Sequence, residues 1–153
     1  NDEINQNLKE KFLNNKVKAE QIHILNFQKD NFDHLSFYND IDIALDTFPY
    51  NGVTTTFESI LMGVPVLTIK GFNFNSRCGE SINKNLKLEN FIAENYNDYY
   101  LKALDLYKNI NYLKSLRKEL RNKAISSPLF DNKNFASIFS KKIKTIWENF
   151  IKG

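Results

Sequence analysis

The sequence predicts an α/β fold, in which a parallel sheet of about three strands is flanked by helices and followed by a helical C-terminal half. Short apolar runs alternate with helical periodicity from residue 2 to residue 69, as in parallel sheets with right-handed crossovers. After Gly71 only helical patterns follow. The chain has 153 residues and 42% hydrophobic side chains, enough for one core, so we expect a single domain over 1–153.

The first part of the chain alternates helix, strand and helix. Apolar residues at helical spacing between charged ones predict an amphipathic helix over 2–14. The run QIHILNF at 21–27 is short and apolar, with the length and flanks of a strand. Helical spacing returns over 30–38. The first predicted strand therefore lies between two helices.

The next segment repeats this alternation around a polar loop. The run IDIAL at 41–45 predicts the second strand, which ends at Asp46 and is followed by turn residues. A helix over 55–62, stopped by Gly63, then leads to a third strand over 64–69. This order is that of the doubly wound class, in which ligands bind beyond the carboxyl ends of the strands.

The C-terminal half, including an extension over about 94–153, is predicted to be helical throughout. Its last helix carries a continuous stripe of apolar and aromatic side chains, which indicates packing along the domain or against a neighbouring one. A structural helical interaction domain is therefore one alternative function for the chain. The predicted helices span 76–86, 97–107, 110–123 and 134–150.

Composition excludes several classes of protein. The net charge of +3 comes from 21 basic and 18 acidic residues that alternate along the chain, so we expect no nucleic-acid partner. The single cysteine, Cys78, excludes an internal disulfide and the Cys-rich zinc patterns, and it predicts a reducing, cytoplasmic setting. No apolar stretch approaches the ~20 residues that cross a bilayer, so we expect no membrane association.

The segment DTFPYNGVTTTFE, residues 46–58, is the candidate ligand site. Gly52 allows close approach of the backbone, and the hydroxyl residues Thr54, Thr55 and Thr56 open a helix whose first amides have no partners within the helix. Such amides, together with the positive end of the helix dipole, suit a phosphate. Glu58 lies one turn further along, where its carboxylate can accept hydrogen bonds from ribose hydroxyls.

The same spacing has a purely structural interpretation. Thr55 and Glu58 match a T-x-x-E capping box, in which the two side chains only satisfy backbone amides at the helix start, and spacing alone favours this interpretation. His34 is by itself more typical of a structural histidine on a helix. Lys29 and Arg77 are by themselves more typical of surface charges.

Three segments together resemble the catalytic C-terminal lobe of the protein O-GlcNAc transferase and SPINDLY family. They are DIALDTFPYNGVTTTFESILMGVPVLTIKG at 42–71, SRCGESI at 76–82 and ISSPLF at 125–130. The resemblance extends from about residue 21 to the C-terminus. It implies a partial Rossmann-like sheet of the GT-B type and an inverting transfer of a sugar to serine or threonine of proteins.

The resemblance also implies roles for individual residues. Thr54 and Thr55 match the threonines that bind the donor diphosphate, Glu58 matches the acidic residue that holds the ribose, and His34 matches the histidine that packs against the base. Val53 stands where the animal O-GlcNAc transferase has a histidine. The implied donor-binding set is His34, Asn51, Gly52, Thr54, Thr55, Thr56 and Glu58, with Lys29 and Arg77 as further candidates.

Family members use UDP-GlcNAc or, in the SPINDLY branch, GDP-fucose, and we favour UDP-GlcNAc, with no metal ion. The resemblance implies that the acceptor lobe, tetratricopeptide repeats and first two donor-lobe strands precede Asn1. We therefore expect no catalytic residue within the chain, no turnover by the chain alone, and self-association through an open sheet edge. A nucleotide-binding module without catalysis is a further alternative.

Overall fold

The computed structural model describes residues 2–25 and 31–152, with side-chain placements for all of these except residues 31–33. Contacts between Cα atoms divide the chain into two compact units, Asn1–His34 and Leu35–Gly153. The expectation of a single domain over 1–153 stays a prediction. Each unit is described by itself below.

The first unit is built around α1, Asp2–Asn14, which confirms the amphipathic helix predicted over 2–14. Its apolar side chains Leu8 and Phe12 line a groove together with part of the segment that follows. After α1 the chain forms a short 3-10 helix at Ala19–Gln21. The helix α2, Asn31–Ser36, spans the boundary between the units and agrees with the helix predicted over 30–38.

The strand predicted over 21–27 is wrong where the structure describes it. Gln21 ends the 3-10 helix, and residues 22–25 are irregular, without a ladder partner among the described residues. Residues 26 and 27 lie outside the described part of the chain. The apolar run does have extended backbone at Ile22. A β-strand, however, also requires a neighbour that completes its hydrogen bonds, and the local sequence does not specify one.

The second unit contains a parallel three-stranded sheet in the order β1-β2-β3. The strands are β1, Ala44–Leu45; β2, Val66–Ile69; and β3, Ile92–Ala93. The first half of β2 pairs with β1, and its second half pairs with β3. The strands predicted over 41–45 and 64–69 are therefore confirmed in position and shortened in extent.

The third strand of the sheet, β3, contradicts the expectation that no strand follows Gly71. Ile92 pairs with Thr68 and Ala93 pairs with Ile69, and the Lys70 amide donates to the Ala93 carbonyl over 2.8 Å. Two residues are too few to show the alternation that marks a strand in sequence. Ile92 and Ala93 form a strand because the edge of β2 offers them hydrogen-bond partners. Tertiary pairing therefore determines this strand.

Helices cover the sheet and bury a single apolar core in this unit. Five helices lie wholly within the described part of this unit, as the alternating pattern predicted: α3 (Thr54–Leu61), α4 (Cys78–Asn85), α5 (Tyr96–Lys108), α6 (Ile110–Ile125) and α7 (Asn132–Ile151). The core contains residues of β2, of α3, α4, α5 and α6, and of the loop before β3. Its most buried members are Ile60, Leu67, Leu86, Leu88, Phe91 and Leu120.

Polar side chains tie these helices to the backbone of the sheet layer. The amide of Asn83 on α4 donates to the carbonyl oxygens of Val66 and Phe91, which lie at the starts of β2 and β3. The guanidinium of Arg117 on α6 donates to the carbonyl oxygens of Tyr38 and Ile41, in the segment that leads into β1. These bonds fix where the strands begin relative to the helices.

The last helix, α7, is the least covered element of the second unit. None of its residues is buried, and its apolar stripe includes Phe135 and Phe139, whose rings stack with centroids 5.9 Å apart. The predicted helix and stripe are thus confirmed, while no other described element covers them. No helix in the described ranges, α7 included, has the length and apolarity needed to cross a membrane.

We predict that Arg117→Ala lowers the free energy of unfolding by about 1.5–3 kcal/mol, because two backbone carbonyls lose a charged donor. Urea unfolding followed by circular dichroism measures this difference. Lys118→Ala, one residue further along α6 at an exposed position, is the matched control and should change the free energy by less than about 0.5 kcal/mol. Equal losses in the two variants would contradict the anchoring role of Arg117.

Candidate functional site

A cleft of about 200 Å³ lies at the carboxyl end of β1, beside the start of α3. The strand, the loop that follows it and one side of α3 each contribute to its wall. This is the position at which parallel sheets bind ligands, because loops and helix N-termini converge beyond the strand ends. Its lining residues are Tyr38, Ala44, Leu45, Asp46, Thr47, Gly52, Thr55, Thr56, Ser59 and Val66.

The start of α3 is not capped by a side chain. Its N-cap residue is Val53, which has no side chain that can accept an amide hydrogen bond. Thr54 and Thr55 are exposed, and their backbone amides donate to no other group in the described ranges. The first turn therefore presents unpaired N–H groups and the positive end of the helix dipole, which is the arrangement that binds anions.

The capping-box interpretation of the T-x-x-E spacing is consequently wrong. A capping box requires Thr55 at the N-cap, but the helix begins at Thr54, so Thr55 is already inside its first turn. Glu58 lies one turn further along and is partly buried. Burial, and then the negative charge of Glu58, raise the pKa of Tyr38, whose hydroxyl donates to the Thr55 carbonyl over 3.4 Å.

Gly52 and Thr56 shape the backbone at this point. The Thr56 side chain is 3% exposed, and its hydroxyl donates to the Gly52 carbonyl. The Gly52 amide donates a hydrogen bond to the carboxylate of Asp46 over 2.9 Å. A Cβ atom on residue 52 would collide with the Thr55 hydroxyl. Glycine is therefore needed here because the loop runs directly beneath the side chain of Thr55.

Asn51 holds the loop in place through two hydrogen bonds of its side chain. It is 1% exposed, its amide donates to the Thr47 carbonyl over 3.0 Å, and its side-chain oxygen accepts the Gly79 amide over 3.2 Å. The second bond connects the loop to the first turn of α4. Asn51 is adjacent to the cleft without lining it, so a direct contact with a donor stays a prediction from the resemblance.

Asp46 is a functional candidate that the sequence indicated only as the end of a strand. Its two oxygens accept hydrogen bonds from Gly52 and from the hydroxyl of Thr68 on β2. Burial raises the pKa of this carboxyl, although those bonds oppose the change. The Tyr99 hydroxyl donates to the backbone carbonyl of Asp46. Burial, and to a smaller extent the charge of Asp46, raise the pKa of Tyr99 to about 12. The sequence signal that could have identified Asp46 is a carboxylate directly after a predicted strand.

Arg77 lies in an ion pair next to the site. Its guanidinium contacts both oxygens of Glu80, at 2.8 and 3.3 Å, and Lys84 contacts the same carboxylate at 2.7 Å. These partners, Arg77 first, hold the pKa of Glu80 below its usual range. Arg77 also lines a second cleft, of about 410 Å³, together with Val53 and Phe57. Its role as a donor ligand stays a prediction.

Two further predicted residues are not assigned to this set by the structure. Lys29 falls outside the described residues. His34 lies on α2 in the first unit, whereas the cleft belongs to the second. The structure thus brings together Gly52, Thr55 and Thr56 around one cleft, with Asn51, Thr54 and Glu58 in the adjoining loop and helix. The role of His34 stays a prediction.

Comparison with known proteins agrees with this geometry. The sequence profile described as glycosyl transferase family 41 matches residues 3–139. The chain belongs to glycosyl transferase family 41. The family assignment confirms the resemblance drawn from the 42–71 segment.

Two plant proteins illustrate the similarity at the sequence level. The tomato (Solanum lycopersicum) protein named "Probable UDP-N-acetylglucosamine–peptide N-acetylglucosaminyltransferase SPINDLY" is 38% identical over 80% of the family 41 chain described here and 13% of its own length. An Arabidopsis thaliana protein of the same name is 33% identical over 90% of the chain and 15% of its own length. The chain therefore spans about one seventh of these relatives.

A solved structure shows the same similarity in three dimensions. A mutant of the Thermobaculum terrenum O-GlcNAc transferase superimposes with a TM-score of 0.85 and 30% identity, covering 94% of the chain and 28% of the solved one. This family 41 chain thus has the α/β architecture of a GT-B donor lobe, with a three-stranded parallel sheet and a helical C-terminal half, as the sequence predicted.

We predict that Glu80→Gln destabilises the chain by about 1–3 kcal/mol near pH 7, because Arg77 and Lys84 lose their shared carboxylate. Since the folded pKa of Glu80 is lowered, its contribution is present above the unfolded pKa and is lost as the pH falls through the folded pKa. The difference in melting temperature between variant and wild type should therefore be smaller at an acidic pH, below the pKa of an unfolded glutamate, than at pH 7.

Glu119→Gln on α6 is the matched control for this experiment, because Glu119 is an exposed helical glutamate. Its melting temperature should follow that of the wild type at both pH values. A Glu80→Gln deficit that stays constant between the two pH values would show that the charge of Glu80 is not the source of its stabilisation.

Proposed function

We propose that this chain is the nucleotide-sugar-binding part of an inverting protein O-glycosyltransferase that transfers GlcNAc from UDP-GlcNAc to serine or threonine. The observation that carries the proposal is the uncapped start of α3, which opens beside a cleft at the carboxyl end of β1. The printed names of the plant relatives, which describe UDP-N-acetylglucosamine–peptide transferases, support the choice of donor.

The donor diphosphate would bind the amides of Thr54 and Thr55. These N–H groups are fixed by the helix, so they do not need to reorganise when the bond between sugar and phosphate breaks. The leaving nucleoside diphosphate gains negative charge in that step. The helix dipole adds a stabilisation of about 0.3–1 kcal/mol at an exposed site and up to about 2 kcal/mol at a partly buried one. The proposal requires no metal ion.

Glu58 would bind the ribose of the same nucleotide. It lies one helical turn after the phosphate amides, and its carboxylate can accept hydrogen bonds from two neighbouring hydroxyls. His34 would pack against the base. In this arrangement α3 binds both phosphate and ribose through a single rigid element, which reduces the conformational entropy lost on binding.

GDP-fucose is the alternative donor, and a nucleotide-binding module without catalysis is the alternative function. GDP-fucose remains an alternative donor because the chain is similar to SPINDLY proteins, and the resemblance associates that branch with GDP-fucose. The chain spans only a small share of each relative, and the resemblance implies that the acceptor lobe lies outside the chain, so the non-catalytic module also remains an alternative. The proposed acceptor is a protein, bound by regions beyond this chain.

We predict that the chain binds UDP, and that the double variant Thr55→Ala/Glu58→Ala loses at least about tenfold in affinity, equivalent to about 1.4 kcal/mol. Isothermal titration with UDP and with GDP measures both the loss and the preference for the base. Amide chemical shifts of Thr54 and Thr55 should move during the same titration. Tighter binding of GDP than of UDP would favour the fucosyl alternative.

The matched control is Thr145→Ala/Glu148→Ala on α7. It removes a pair with the same T-x-x-E spacing far along the chain from the cleft, in which Thr145 is exposed and Glu148 is half-buried. It should bind UDP as tightly as the wild type. Unchanged affinity in Thr55→Ala/Glu58→Ala would reject the nucleotide site at α3. Sugar transfer by a longer protein that includes this chain, but none by a variant with the α3 substitutions, would separate the enzyme from the non-catalytic module.

A further inference from the structure

We propose that Asp46 is the positioning residue of the nucleotide site, because its carboxylate holds the loop at Gly52 against β2 and thereby fixes where α3 begins. The inference rests on the proposed function and deepens it by assigning a residue outside the implied donor-binding set. Asp46 acts through the loop: it determines which amides remain for the phosphate.

The register of the sheet brings the two partners of the carboxylate together. Leu45 pairs with Leu67, so the next residues along the two parallel strands, Asp46 and Thr68, are neighbours. The Thr68 hydroxyl donates to one oxygen of Asp46 over 2.8 Å, and the Gly52 amide donates to the other over 2.9 Å. Each oxygen of the carboxylate therefore binds a different element.

The main chain of Asp46 is fixed as well. Its amide donates to the Leu67 carbonyl over 2.9 Å, and its carbonyl accepts the Tyr99 hydroxyl over 3.2 Å. The residue is thus held by β2 and by α5 before its side chain reaches the loop. Such an anchored carboxylate can set the position of Gly52, because the anchor itself has little freedom to move.

The bond to Gly52 closes the loop immediately before the helix. Gly52 precedes Val53, the N-cap of α3, so the bond to the Gly52 amide leaves the amides that follow it, among them those of Thr54 and Thr55, open to a ligand. Asn51 holds the loop by its own side chain but is bonded to Thr47 and Gly79, neither of which belongs to the sheet. In the described ranges, the side-chain hydrogen bonds that connect the loop before α3 to β2 are those of the Asp46 carboxylate.

The surroundings leave little room for a different side chain. A Cβ on Gly79 would lie 2.8 Å from the carboxylate oxygen that binds Thr68, so α4 packs directly against it. Partial burial raises the pKa of the carboxyl, which means that holding the charge here is unfavourable. Tyr99, which donates to the Asp46 carbonyl, is a titratable neighbour of this carboxylate, and burial raises the pKa of its hydroxyl to about 12.

A positioning role requires hydrogen-bond acceptance and not the charge itself. In Asp46→Asn the side-chain oxygen can still accept the Gly52 amide, and the new amide group can donate to the Thr68 hydroxyl, which is also an acceptor. A negative charge beside a diphosphate would, in addition, oppose binding. Asparagine should therefore preserve the site, whereas alanine should not.

The test measures UDP affinity and amide hydrogen exchange in the 153-residue chain. Asp46→Ala should weaken UDP binding at least about tenfold, whereas Asp46→Asn should stay within about threefold of the wild type. In the nucleotide-free chain, exchange of the Gly52 amide should be at least about tenfold faster in Asp46→Ala and close to wild type in Asp46→Asn. Asp42→Ala, at an exposed aspartate before β1, is the control and should change neither quantity.

Circular dichroism determines whether each variant is folded. If Asp46→Ala unfolds the chain, Thr68→Val replaces it, because valine removes one of the two bonds and keeps the shape of the side chain. That variant should weaken UDP binding and accelerate Gly52 exchange severalfold. Asp46→Asn must then still retain the wild-type values.

Two results would overturn the inference. Wild-type affinity and Gly52 exchange in folded Asp46→Ala, or in Thr68→Val where it replaces that variant, would show that the carboxylate does not hold the loop. A loss in Asp46→Asn as large as that in Asp46→Ala would assign the role to the charge. Failure of the proposed function has a different signature, namely a wild-type chain that binds neither UDP nor GDP, and Gly52 exchange still decides whether Asp46 fixes the helix start.

Discussion

The central strand β2 lies between two parallel neighbours and has no exposed residue, with its first half paired to β1 and its second half to β3. Because the strands run in parallel, their carboxyl ends meet at one edge, and the loops that follow must share the space there. The position of Asp46 beside Thr68 follows directly from this pairing. So does the position of α3, whose N-terminus is tied to the end of β1 by the five-residue segment between Asp46 and Gly52.

An uncapped helix start lowers the stability of the fold unless a ligand pairs with its free amides. Unpaired amides at an exposed N-terminus are normally satisfied by a serine, threonine, aspartate or asparagine cap, but here the N-cap is Val53. The hydroxyl residues lie one position too late to cap. We interpret this as a site that forgoes the stability of a cap, about 1 kcal/mol, in exchange for donors directed at a ligand. In the function proposed above, that ligand is the anionic diphosphate of the donor.

The polar residues around the cleft divide into two groups by what they contact. Asn51, Thr56 and Asp46 bond to the protein itself, and they determine the path of the loop. Thr54 and Thr55 have exposed side chains and amides directed outward, and these are available to a ligand. The motif NGVTTT therefore contains residues that fix the loop next to residues that are exposed, which explains why its residues cannot be assigned a common role from spacing alone.

The sequence by itself determined the alternation of helices and strands, the position of the loop at 46–58 and the family, because each depends on local periodicity or on a contiguous motif. Only tertiary structure decided that residues 22–25 are not a strand and that Ile92–Ala93 is one, since strand formation depends on an available neighbouring edge. Tertiary structure also decided that Thr55 lies inside the helix and not at its cap. That one-residue difference depends on where Asp46 holds Gly52, and the two residues of β2 that fix Asp46 lie more than twenty positions away in sequence.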